Sequence, residues 1–170
     1  MRCLFFLIIT ALICHGCNSL MTHISSFEEF EFSYTNTFGD SYTIKFTEGD
    51  TVYVARYFPY PYSNFIGVIP SYERKKIDSL ISLINFNKLD TMYYQDYEDG
   101  VGYQFYVKND SLAKTILVHS DIVPNNLKQV ANWIVNAKRN WRLLPIDSIF
   151  EMKNIDFFKP PIPPVPSTNH

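Results

Sequence analysis

The three cysteines of this 170-residue chain, Cys3, Cys14 and Cys17, all precede residue 18, so whatever folds after them does so without a disulfide. Such a domain is held by its apolar core alone. The remaining length suits one domain, which at this size buries about two thirds of the surface its unfolded chain exposes. Aromatic side chains supply that core: 14 Phe, 12 Tyr and 2 Trp make up 16% of the chain. Most of the Phe and Tyr fall in strand-like segments, which predicts rings stacked on sheet faces rather than a box around a ligand.

The cysteines mark an address instead. Arg2 gives a minimal positive region, residues 3–14 (CLFFLIITALIC) an unbroken apolar run, and Gly16 a small residue just before Cys17. As a helix that run spans about 18 Å, short of the roughly 30 Å hydrocarbon core that a membrane-crossing segment must cover. The pattern resembles a bacterial lipoprotein signal, with cleavage after Gly16 and a lipid on the new N-terminal Cys17. Residues 1–16 are then a leader and residues 17–26 a polar tether. The expected location is the bacterial cell envelope, lipid-anchored to the outer membrane.

With 15 basic and 17 acidic residues in no long runs, the chain lacks the concentrated basic face that nucleic acid requires. No cysteine follows the anchor and no two histidines stand close, which leaves no zinc-ligand spacing. The six glycines are scattered singly, so there is no phosphate-cradling loop. No cofactor is expected.

Strand signals open the domain. Phe30, Phe32 and Tyr34 alternate with Glu29, Glu31 and Ser33, and Tyr42, Ile44 and Phe46 alternate with Thr43, Lys45 and Thr47. A turn at Glu48-Gly49-Asp50 leads into TVYVARY, completing a meander of three strands. Residues 58–70 (FPYPYSNFIGVIP) carry three prolines and read as a loop or an edge. Ile77, Leu80, Ile81 and Ile84 then recur with helical spacing over residues 71–85, with Arg74, Lys75, Lys76 and Asp78 on the outer face. A possible strand over residues 91–96 precedes a second hairpin, where Tyr103, Phe105 and Val107 lead to the turn Asn109-Asp110-Ser111 and residues 112–119 return. After Pro124, the residues Leu127, Val130, Ala131 and Ile134 mark a second helix. The expectation is an α+β domain over residues 27–142: one antiparallel sheet of five to six strands, two helices on one face, in the order β-β-β-α-β-β-β-α. Residues 143–170 end in PPIPPVPSTNH and read as an extended tail.

The leader, the hairpin with its acidic-glycine turn, the helix ending near residues 86–89, the second hairpin, and the closing stretch with Pro124, Leu127, Trp133 and Ile134 together set a layout. Over roughly residues 30–141 it resembles small uncharacterised lipoproteins of the Bacteroidetes type. That resemblance implies an extracytoplasmic domain of unknown function and carries over no catalytic residue.

The chemistry-bearing residues are sparse. His119-Ser120-Asp121 has the residue types of a hydrolase triad, but neighbours on a strand end point to opposite sides, so the plain reading is a histidine before a polar turn. Asp96, Glu98 and Asp99 beside Gly100 form an acidic loop without the ligand spacing of a calcium loop, which leaves no metal site. An envelope hydrolase using Asp96 and Asp99 is the alternative to the leading expectation, a non-enzymatic binding module. For that module the candidate surface is Tyr57, Phe58, Tyr60, Tyr62 and Phe65, interleaved with Pro59 and Pro61: these rings either fold back as a satellite core or face an envelope protein or glycan. The anchor has its own test. Cys17→Ala is expected to abolish metabolic labelling with an alkyne fatty acid and to release the domain from the membrane fraction with unchanged circular dichroism; label retained on the variant refutes the assignment.

Overall fold

The computed structural model describes residues 27–36, 39–96 and 100–154. In chain order its elements are β1 (Glu29–Asn36), β2 (Ser41–Phe46), β3 (Thr51–Phe58), β4 (Ser63–Val68), α1 (Ser71–Ser82), β5 (Met92–Tyr94), β6 (Val101–Asn109), β7 (Leu112–His119), α2 (Asn125–Lys138) and β8 (Leu143–Ile146). The eight strands make one sheet in the spatial order β5-β7-β6-β1-β2-β3-β4-β8. Every pairing is antiparallel except that of β5 with β7. The α+β class, the single sheet and the two helices match the sequence reading; the strand count and order do not, and the sheet is mixed.

β1 lies at the centre, and its apolar residues set the register on both sides. Phe30 stands opposite Phe46 on β2 and Val107 on β6, Phe32 opposite Ile44 and Phe105, and Tyr34 opposite Tyr42 and Tyr103. Both hairpins therefore flank the same three side chains. The rings meet as expected of stacked sheet faces: Phe30 lies 5.3 Å from Phe46 and Phe32 lies 5.3 Å from Phe105, centroid to centroid. Both helices cover this face. Ile77, Ile81 and Ile84 from α1 and its exit, with Leu127, Val130, Ala131 and Ile134 from α2, join the strand residues in one buried cluster against which Leu80 packs half-buried.

Helix α1 buries more than apolar side chains. Arg74 and Asp78, expected on the outer face, are 1% and 6% exposed and form an ion pair at 3.0 Å. Arg74 Nη1 also donates to the carbonyls of Thr47 and Gly49, and its guanidinium lies 4.8 Å from the centre of the Phe27 ring. The helix is thereby fastened to the β2–β3 turn, whose carbonyls have no ladder partner. This contact is invisible to apolar periodicity because it reverses the usual sign of the buried position.

Residues 63–68, expected as a loop or edge, form β4, paired to β3 on one side and β8 on the other. The three prolines that argued against a strand fall outside it: Pro59 and Pro61 lie in the preceding turn, both after cis peptide bonds, and Pro70 opens α1. Gly67 admits the neighbouring strand, since a Cβ there would stand 2.7 Å from Leu143 Cδ2 and 3.1 Å from the Arg142 carbonyl oxygen.

The chain also stays folded past residue 142. β8 completes the sheet, and residues 147–154 then cross the face opposite the helices. Phe150 stacks on Tyr53 at 4.7 Å, Met152 is buried with Ala55 and Tyr57, and Asn154 reaches the centre of the sheet. There Glu31, fully buried, accepts the backbone N–H groups of Lys153 at 2.6 Å and Asn154 at 3.1 Å. Asn154 Nδ2 donates to the Glu31 and Gln104 carbonyls, and its own carbonyl accepts from Ser33, whose hydroxyl shares a 2.7 Å hydrogen bond with Thr43. The part of the expected tail over residues 143–154 is thus a strand and a strap. Polar contacts to a strand face hold it, and these leave no periodic trace in the sequence. Residues 155–170, with the Pro-rich stretch, lie outside the described residues.

Chemical denaturation checks this packing. Ile134→Ala is expected to cost about 2 to 5 kcal/mol through lost burial and a cavity, and Arg74→Ala about 3 to 5 kcal/mol because Asp78 is left buried without its partner. A loss below about 0.5 kcal/mol at either position would contradict the burial described.

Candidate functional site

The β3–β4 hairpin divides the five candidate rings among three environments. Tyr57 is 7% exposed and packs with Ala55 and Met152 under the strap. Phe65 sits on the helix face, half-buried against the main core. Phe58, Tyr60 and Tyr62 remain at the tip, 38%, 36% and 47% exposed. Tyr57 thus lies in a satellite core, Phe65 belongs to the main core, and the other three form a surface.

Those three rings are ordered against one another. Phe58 and Tyr60 meet edge-on at 5.9 Å, Tyr60 and Tyr62 at 5.1 Å, and Tyr62 rests edge-on against the buried Tyr57 at 6.2 Å. A hydrogen bond to Tyr62 holds the Tyr60 hydroxyl proton and raises its pKa above the ordinary tyrosine value. Edge-to-face geometry at these distances is the preferred arrangement of aromatic rings, so the tip is pre-arranged before any contact is made. The β2–β3 register shifts beside it, where Ser41 faces Phe58 and Tyr42 faces Arg56. Such an irregularity adds local twist and turns the hairpin end out of the ladder.

Cations sit at the base of this tip. Arg56 and Ser63 are the last pair of the β3–β4 ladder. Arg56 Nη2 donates to Ser63 Oγ at 3.3 Å, Ser63 Oγ donates to the Pro61 carbonyl at 3.0 Å, and the guanidinium lies 5.1 Å from the centre of the Phe65 ring. Lys138, from the last turn of α2, places its ammonium 4.0 Å from the centre of the Tyr42 ring. Burial lowers the Lys138 pKa below the ordinary lysine value; Arg56 and Arg139 push the same way, and Asp40 opposes them. Burial also drives the Tyr42 hydroxyl far above its usual range, so it stays neutral at any physiological pH. The sequence reading passed over these cations. One signal was present: Arg56 follows Val52 and Val54 on the apolar phase of β3, where a charge has no reason to be unless something meets it.

The alternative site is not assembled among the described residues. Asp96 is exposed, and Tyr97, Glu98 and Asp99 lie outside the described residues. The His119 ring lies tilted against Tyr94 at 5.6 Å, while Ser120 Oγ donates to Gln95 Oε1 at 2.9 Å, so the serine of the triplet is engaged elsewhere. A cavity of about 510 Å³ lies beside Tyr103, Ser120, Asp121, Lys128 and Asn132, and neither Asp96 nor His119 lines it. No group of three His, Cys, Asp or Glu side chains suited to a metal occurs among the described residues. Cys17 lies outside them, and no described helix is long and apolar enough to cross a membrane.

Comparison with protein-family models, with curated proteins and with solved structures gave no match. The site is therefore read from its own geometry. Replacing both exposed rings, Tyr60→Ala with Tyr62→Ala, is expected to leave the melting temperature within about 2 °C of the parent, as for surface positions. Tyr57→Ala, removing a buried ring, is expected to lower it by at least about 5 °C. Equal losses in the two variants would make the tip part of the core.

Proposed function

We propose that this chain is a lipid-anchored, non-enzymatic binding module of the bacterial cell envelope, akin to the small Bacteroidetes-type lipoproteins its layout resembles, and that the tip rings Phe58, Tyr60 and Tyr62 touch its ligand. One observation carries the reading: ordered aromatic side chains are exposed at the end of the sheet away from the point where the tether would enter. The described chain begins at Phe27, which packs on Phe30 at 5.2 Å, and Glu28 N–H donates to the Lys108 carbonyl at 2.8 Å, so the entry lies by the β6–β7 turn. β1 runs from there for eight residues, roughly 25 Å at about 3.3 Å each, and ends level with the β3–β4 tip. A lipid on Cys17 would hold the molecule by one end and present the rings at the other.

Exposed aromatic clusters mark contact sites because rings offer large, stiff apolar area at little entropic cost. The area here is small. Three side chains match the footprint of a few sugar rings better than the roughly 800 Å² per partner of a stable protein interface. The favoured ligand is an envelope glycan, with a protein the lesser choice. The test is co-sedimentation of the lipid-free protein with purified envelope polysaccharide. Wild type should be retained, and Tyr60→Ala should weaken retention roughly 30-fold, the equivalent of about 2 kcal/mol for an aromatic anchor. Retention that ignores both tyrosines would remove the tip as the contact surface.

A further inference from the structure

We infer that the glycan met by the aromatic tip is anionic, a saccharide carrying carboxylate or phosphate groups, with Arg56, Lys138 and Arg139 receiving its charge. This rests on the reading of the tip as a glycan contact and adds the chemical class of the ligand.

Arg56 closes the loop that bears the rings, so a sugar stacked on Tyr60 and Tyr62 has a guanidinium at the base of the same hairpin. That guanidinium is incompletely used: its Nε is buried with no hydrogen-bond partner among the described residues, and its Nη2 donates to the neutral Ser63 hydroxyl. A buried donor without an acceptor costs free energy, so the charge of this guanidinium is poorly compensated within the chain. Lys138 is in a similar position, half-buried over a neutral ring and forming no ion pair among the described residues. Arg56 and Arg139 both act on Lys138, and among the described residues the carboxylate acting on it is Asp40. Among the described residues, three cations against one carboxylate, beside low-dielectric rings, focus a positive potential on a small area. A neutral sugar would leave that field unanswered, whereas a carboxylate or phosphate takes the forked donors of arginine in bidentate fashion and the ammonium as a point charge.

Asp40, just before β2, opposes this charge in part, and the groups packed around Arg56 add no further carboxylate among the described residues. From β2, the packed neighbour is the neutral Tyr42; from β4, Ser63 and Phe65; from α2, Lys138 itself and Arg139. The contrast with Arg74 is informative, because that residue is matched by Asp78 and two carbonyls and has nothing left to offer.

Two pairs of probes decide the matter: oligogalacturonate against its methyl ester, and a phosphorylated mannan oligomer against its dephosphorylated form. Binding to the full soluble chain is measured by calorimetry at low and at moderate salt. In at least one pair the charged member should bind tenfold or more tighter than its neutral partner, and salt should narrow the gap. Lys138→Gln should remove most of that gap, and so should Arg56→Gln, with circular dichroism confirming that each variant is folded. Should Arg56→Gln fail to fold, Lys138→Gln alone decides. Equal binding of charged and neutral members, lost on Tyr60→Ala, would overturn the anionic assignment and leave the glycan module standing. Absence of binding in all four cases, or binding indifferent to the tyrosines, would overturn both.

Discussion

The aromatic row on β1 is the contact on which the rest of the molecule depends. Phe30 and Phe32 are fully buried, and each touches residues from both neighbouring strands. A strand at the centre of a sheet fixes register in two directions, and a slip of one residue would turn Glu29, Glu31 and Ser33 toward the helices. The rings penalise that slip on both sides at once. The helices then dock on a surface whose ridges are already set, and Arg74 ties α1 to the β2–β3 turn at the edge of the same row. A domain with no cysteine after residue 17 needs some such concentrated source of order, and here it lies in three successive inward positions of one strand.

The alternation that makes one face of β1 apolar leaves the other face polar, and this second face decides where the chain goes after β8. Glu31, Ser33 and Thr43 are buried; Ser33 and Thr43 share a hydrogen bond, and the strap supplies donors to Glu31 and an acceptor to Ser33. Glu31 shows the balance. Burial raises its pKa above the ordinary carboxylate value, and the Lys153 and Asn154 amides with Lys45 hold the rise in check. With its folded pKa raised, Glu31 favours the docked strap most when protonated. That contribution is complete below the ordinary carboxylate pKa and is lost as pH rises through the elevated one. The amides that accompany docking are what keep the strap in place once the group is charged.

Much of the fold was legible from alternation and helical spacing, because those patterns report apolar burial directly. The strands at residues 30–34, 42–46 and 103–107 and the faces Ile77/Ile81 and Val130/Ile134 were placed that way. What escaped had other causes. β4 was hidden by prolines that turned out to punctuate its ends, and β8 is four residues long with Pro145 inside it, too short for any period to register. The strap is held by a carboxylate and backbone amides, groups whose pairing depends on position in space rather than on neighbours in sequence. At the candidate site, aromatic density drew attention to residues 57–65, but composition alone has no way to separate Tyr57 and Phe65, which pack inward, from the three rings that do not.

Arg56 and Arg74 both occupy positions where an apolar residue belongs, and the difference between them separates a structural charge from a functional one. A buried charge is tolerated when its solvation is replaced in full. Arg74 meets that condition within the chain: a carboxylate one helical turn away, two carbonyls from a turn, and a ring below. Arg56 has a ring and a hydroxyl, with Nε unmet, and it stands next to a lysine that burial already penalises. Were fold stability the only demand on β3, an aliphatic residue in phase with Val52 and Val54 would serve better there. The charge stands where its compensation is incomplete, at the base of the hairpin that exposes Phe58, Tyr60 and Tyr62. Incomplete solvation at an exposed aromatic edge is the arrangement that a ligand with both a ring face and a negative charge would complete.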